Sequence, residues 1–263
     1  MAGRRYRLVL FFAVLLPILV STILAPKTAR GFGNDDAFNP RMLLVGDAKV
    51  DNQRSTAPSR LSWELIQRTN APARLVPTTV RADSTAIANE PFAWWLGRAD
   101  AGALTNREIE GLRVFFALGG VLLVDDSDPQ SGAFGRGARR ELARVLPDSA
   151  PVPIGPEHVV FRSYYLLSRP AGRVDGPDVF DAIIRNGHAQ VLFSSHDIAG
   201  ALSRDRSGVS LFEMATDNPF GGERHREMAV RTAVNVAMFV LCSNYKDDQV
   251  HGPVLMRRRA RNR

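Results

Sequence analysis

One cysteine, Cys242, stands in a chain of 263 residues, so no intrachain disulfide can form. Cys242 closes the apolar run Met228 to Cys242, where a helix is expected to bury an inert thiol. The chain also lacks the G-x-S-x-G elbow that presents a serine nucleophile at the top of an α/β sheet. It has no internal repeat. Both ends lack acid: Arg4, Arg5, Arg7, Lys27 and Arg30 lie in the first 31 residues, and Arg257, Arg258, Arg259, Arg261 and Arg263 form the tail. Subtracting these ten cations from the net charge of +7 leaves the body at −3. Nucleic-acid binding needs basic charge on the folded domain itself, so a nucleic-acid partner is set aside.

What is present is ordinary globular composition, 45% hydrophobic and 23% charged. A body of this size buries enough surface to fold without a metal or a disulfide. Ahead of it, an apolar-to-small stretch runs from Leu8 to Ala25 behind Arg4, Arg5 and Arg7. A positive flank followed by an apolar run is the order of an export signal, and 18 residues is also close to a bilayer span. A signal cleaved at Ala29-Arg30-Gly31 and a retained membrane anchor both fit. Either way the flank stays in the cytosol and the body crosses. The expected organisation is a leader at 1–31, one α/β domain at 32–252 and a basic tail at 253–263, with the body periplasmic or anchored facing the periplasm.

Along the body, short apolar runs end in glycine and alternate with helical patterns. Arg41 to Gly46, Leu75 to Val80, Phe92 to Gly97, Val121 to Val124 and Ala189 to Phe193 read as strands. Pro77 places the second near a sheet edge. Ser59 is expected to cap a first helix. Thr105 with Glu108 has capping-box spacing ahead of Ile109, Leu112, Phe115 and Phe116. A basic helix is expected from about Gly137 to Leu146, a proline-punctuated connection from Pro147 to Pro156, a helix from Asp178 to Ile184, and a long one from Glu227 to Cys242. Val159 to Leu167 fits strand or helix. The alternation implies an α/β fold, a mostly parallel sheet with helices on both faces, flavodoxin-like, whose sites lie beyond the carboxyl ends of the strands.

The run Leu104 to Glu108, then Leu112 to Gly120, then Val121 to Val124 resembles a helix and strand of the class I glutamine amidotransferase-like fold. More closely, the body resembles the bacterial domain of unknown function 4159 family. That resemblance rests on Val124-Asp125-Asp126, the segment His158 to Tyr165, Gly221-Gly222-Glu223-Arg224, Arg226 to Ala229, and Tyr245 to His251. It implies a role in an envelope complex, because related domains are often encoded beside membrane-anchored and AAA-ATPase components. An envelope or membrane protein is therefore the expected partner. True amidotransferases carry their cysteine on the turn after the strand matching Val121 to Val124. Here that turn reads Asp125-Asp126-Ser127, which makes glutamine hydrolysis by that route unexpected.

Three sets of residues are candidates for chemistry. Asp125, Asp126 and Asp128 follow one strand, and His196 with Asp197 follow another. Together they offer oxygen and imidazole ligands to a divalent metal, with Asp125, Asp126 and His196 as candidate catalytic groups of a metal-assisted hydrolase. The competing expectation is that Asp125 and Asp126 cap backbone amides or pair with an arginine. Ser127, Ser194 or Ser195 with His196 invites a triad, but adjacent His196 and Asp197 in extended chain point opposite ways. His158, Arg162, Glu223 and Arg224 are candidates for an anionic ligand, against an Arg162 that pairs with Glu223 or Asp126.

Overall fold

A computed structural model of the chain describes residues 37–215 and 221–261. The expected leader, residues 1–31, lies outside the described residues. Among them, no helix is long and apolar enough to cross a membrane.

Among the described residues, seven strands form one sheet in the order β2-β1-β3-β4-β7-β6-β5. They are β1 (Arg41–Leu44), β2 (Thr79–Arg81), β3 (Phe92–Gly97), β4 (Val121–Asp126), β5 (Val152–Ile154), β6 (Phe180–Arg185) and β7 (His188–Ser194). The pairs from β2 through β7 in that order are parallel, whereas β6 runs antiparallel to both β7 and β5. The parallel part keeps the 2-1-3-4-5 order of flavodoxin-like sheets, with β7 in the fifth place. Five helices of the described residues cover it: α1 (Ala57–Thr69), α2 (Asn106–Ala117), α3 (Ala133–Val145), α4 (Ile198–Leu202) and α5 (Gly222–Arg261). The apolar side chains of α1, α4 and α5 pack on one face and those of α2 and α3 on the other. The central strands are therefore buried on both sides, which is why they read as unbroken apolar runs.

Local signals explain most of the boundaries. Thr105 and Glu108 form the capping box of α2, and the Glu108 carboxylate also accepts from Gly46 N at 2.5 Å, tying α2 to the end of β1. Arg41 opens β1 with its guanidinium buried, donating to the carbonyls of Ala86, Ile87 and Glu90 at 2.8–3.0 Å. Burial pushes its pKa down to about 10, so it remains a cation. Gly111 lies on the face of α2 turned to the chain after β2, and a Cβ there would stand 1.9 Å from the Ala82 carbonyl oxygen. Gly111→Ala is therefore expected to push α2 off the sheet and cost about 1–3 kcal/mol in urea unfolding. An unchanged midpoint would show that the helix can slide freely.

Several expectations need correcting. Asp178 to Ile184 is not a helix: Phe180–Arg185 is strand β6, paired with β7 through a turn in which Asn186 and Gly187 have φ of +52° and +79°. An Asn-Gly pair with positive φ at both positions is the two-residue hairpin turn that suits the twist of antiparallel strands. The connection from Pro147 to Pro156 contains edge strand β5, where Pro153 is tolerated because one side of an edge strand needs no donor. Helix α1 begins at Ala57 with Pro58 in its first turn, so Ser59 lies inside it. Helix α3 begins four residues before Gly137. Val159–Arg162 is a single 3-10 turn, and α5 extends beyond the expected Glu227 to Cys242 at both ends. Cys242 is exposed, not buried. It lies two residues past the buried Val240, about 200° around the helix and thus on its far side.

Candidate functional site

Neighbouring strands β4 and β7 end at the same edge of the sheet, but their chains leave in opposite directions. The chain after β4 enters α3 on one face, and the chain after β7 enters α4 on the other. Such divergence opens the crevice in which open α/β sheets place their sites. All three of the loops after β1, β4 and β7 meet there.

Asp125 and Asp126 are the last two residues of β4, still within the strand, so their side chains point to opposite faces. Asp125 is wholly buried toward α4 and accepts from Ile198 N at 3.0 Å and Ala199 N at 2.8 Å. Burial, with the nearby Asp197 charge adding to it, pushes its pKa up to about 7. Asp126 faces α3 and accepts from Asp128 N at 2.9 Å and Gly135 N at 3.0 Å. Burial raises its pKa as well. Both acids thus serve as helix caps supplied from a strand rather than from the preceding loop.

The centre of the crevice is Asp197, whose side chain is 0% exposed. Arg54, from the loop after β1, grips it with Nε and Nη2, both at 2.8 Å. Its Nη1 reaches Asp51 at 3.0 Å, and Nη2 also reaches the Ser127 carbonyl at 3.3 Å. Burial opposes the Arg54 charge, but the hydrogen bonds it donates to Asp197 and then to Asp51 outweigh it and raise its pKa. Arg173 forms a second ion pair with Asp197, and Gly200 N donates to it at 3.0 Å. The Phe212 ring lies against both cations, 4.6 Å from the Arg54 guanidinium carbon and 5.7 Å from that of Arg173. Asp197 itself has φ of +52°, a left-handed conformation that aspartate tolerates better than most residues but that costs energy. Gly172 is needed beside it, since a Cβ there would stand 2.1 Å from the His196 carbonyl oxygen.

His196 is buried and does not face the serines as a base would. Its Nε2 donates to the Pro177 carbonyl at 3.0 Å, and Nδ1 has no hydrogen-bond partner. Burial lowers its pKa to about 4, so the ring is neutral near pH 7. Asp197 is committed to arginines and does not orient it. Ser127 Oγ is buried without a partner, while Ser194 Oγ accepts from His196 N at 3.3 Å. Among the described residues, no group of three or more His, Cys, Asp or Glu side chains is placed to hold one metal ion. Asp125, Asp126, Asp128, His196 and Asp197 share a neighbourhood without sharing a focus.

The four candidates for an anionic ligand do not come together either. His158 caps the 3-10 turn, its Nδ1 accepting from Val160 N at 3.3 Å and its ring 5.8 Å from that of Phe239. Arg162 is exposed and pairs with Glu157 at 2.6 Å, not with Glu223 or Asp126. Glu223 and Arg224 are exposed at the start of α5. Phe239 is sixteen residues further on, about 24 Å along the helix. The residues missed in the sequence are Arg54, Asp51, Arg173 and Phe212. Only the positions of Asp51 and Arg54, in the segment after a first strand, pointed to the carboxyl end of the sheet.

The fold and this corner define an α/β domain with a flavodoxin-like strand order, in which an internally neutralised ion cluster lies at the carboxyl ends of the strands. The family described as Domain of unknown function (DUF4159) matches residues 41–241, and the chain belongs to it. No curated protein matches the chain.

Proposed function

We propose that this domain is exported and acts as a non-catalytic binding or scaffold component of a membrane-linked complex in the cell envelope, facing the periplasm. The observation that carries this reading is the state of its carboxyl-end corner. Three of its acids are consumed by the fold: Asp125 by α4, Asp126 by α3, and Asp197 by Arg54 and Arg173. The turn at Asp125 to Ser127, where an amidotransferase would carry its thiol, holds none. A site built for turnover presents a nucleophile with a base in reach, and here His196 donates its ring N–H hydrogen bond to a backbone carbonyl. The apolar stretch Leu8 to Ala25 supports delivery to the envelope.

The chain expressed with its own leader and extracted in mild detergent is expected to bring down a membrane protein. Preparations that are repeatedly monomeric and free of a partner would overturn the reading. Metal analysis of the same material separates it from a metal-assisted hydrolase. A stoichiometric divalent ion lost in Asp126→Ala would favour the enzyme.

A further inference from the structure

We propose that the cavity between the ends of β4 and β7 and the start of α3 binds a small oxyanion, a carboxylate or phosphate group. This site is independent of any docking partner and turns on two arginines the scaffold reading leaves idle. The cavity holds about 180 Å³. Clefts for drug-sized ligands run to roughly 300–1,000 Å³, so the occupant is a small molecule or the terminal group of a larger one. Its walls include Arg136, Arg139, Phe193, Ser194, Ser195 and Asp126. Arg136 and Arg139 lie three residues apart on α3 and so share one side of the helix.

Arg139 is already held for binding. Its guanidinium carbon lies 4.2 Å from the Phe193 ring centre, and Nη2 donates to Asp181 at 2.7 Å. These contacts fix the plane of the group, while Nε and Nη1 make no further hydrogen bond among the described residues. Arg136 donates through Nη1 to the Ser131 carbonyl at 3.0 Å and has no ion pair among the described residues. Guanidinium groups carry donors and no acceptor, in a fork that matches the two oxygens of a carboxylate or phosphate. A ligand rich in acceptors is therefore selected.

Asp126 is the one acid in the wall. Both of its oxygens are engaged by Asp128 N and Gly135 N, and the positive end of α3 offsets its charge. Gly135 permits this approach, because a Cβ there would lie 3.0 Å from Asp126 Oδ2. The repulsion Asp126 would exert on an anion is thus largely answered within the fold, whereas Arg136 makes no ion pair among the described residues.

Calorimetric titration of the detergent-extracted full chain at low ionic strength, with inorganic phosphate and separately with succinate, tests the site. Saturable binding of at least one is expected, weakened tenfold or more in Arg136→Gln and in Arg139→Gln and unchanged in Arg162→Gln. Which of the two binds more tightly distinguishes a phosphate from a carboxylate source. Absence of saturable binding by either, or binding that both cavity variants leave intact, would overturn the proposal. Arg136 is exposed, so Arg136→Gln remains informative even if Arg139→Gln folds poorly.

Discussion

Replacing Asp197 by alanine is expected to destabilise the domain by about 3–5 kcal/mol, as read from urea unfolding, because it strands a buried cation. The Arg54 side chain is 2% exposed and would keep only Asp51, which is itself 27% exposed, as a carboxylate partner. Arg173 would lose the same partner, and α4 would lose the oxygen that accepts Gly200 N. By contrast Asp51→Ala removes a partly solvated partner and should cost about 1 kcal/mol. The double variant Arg54→Met with Asp197→Leu should recover much of the single-variant loss, since removing both charges removes the desolvation they incur. If Asp197→Ala melts like the wild type, the cluster is not what joins the loops after β1, β4 and β7. The reading of a corner closed by its own ions would then fail with it.

Asp125→Asn is expected to change the pH dependence of stability in a definite direction. The ordinary carboxyl of the unfolded chain titrates near 4, while burial and Asp197 push that of folded Asp125 up to about 7. Below about pH 4 both states hold the proton and the contribution to stability is complete. As pH rises toward 7 the unfolded chain releases its proton first, so this contribution is lost, and above 7 it stays lost. Glu227 works the other way: its hydrogen bond to Arg68 outweighs burial and holds it at about 2, stabilising above the acid range. The whole-protein curve therefore mixes signs, and the comparison of variant with wild type is the informative quantity. Asparagine cannot ionise, so Asp125→Asn should gain on the wild type between pH 4 and 7 by on the order of a few kcal/mol. Parallel stability curves across that range would rule out the perturbed carboxyl.

Much of the fold was legible because it rests on local chemistry. Val121 to Val124 is apolar without a break because β4 is covered on both faces, and Thr105 with Glu108 marks the start of α2. The hairpin of β6 and β7 was legible too, in Asn186-Gly187 between two apolar runs. Asp178 drew the reading toward a capped helix instead. The start of α3 was not legible, because the carboxylate that caps Gly135 N belongs to Asp126, nine residues back and on a strand. The candidate acids illustrate the same division. Alternation along a strand already implied that Asp125 and Asp126 face opposite ways, so their failure to converge could have been read from the rule applied to His196 and Asp197.

By itself, then, the sequence determined the alternating α/β class, the absence of a nucleophilic thiol after β4, and a body whose formal charge is −3 once the ten cations of its two ends are set aside, since these depend on residue type and short-range spacing. Only the tertiary structure decided that Asp197 belongs to Arg54 and Arg173, that His196 is tied to Pro177, and that Arg136 and Arg139 share a cavity. Arg54 and Asp197 are 143 residues apart in the chain, and nothing local to either specifies the other. Their pairing follows from the order in which the strands enter the sheet, which brings the loops after β1 and β7 to one edge.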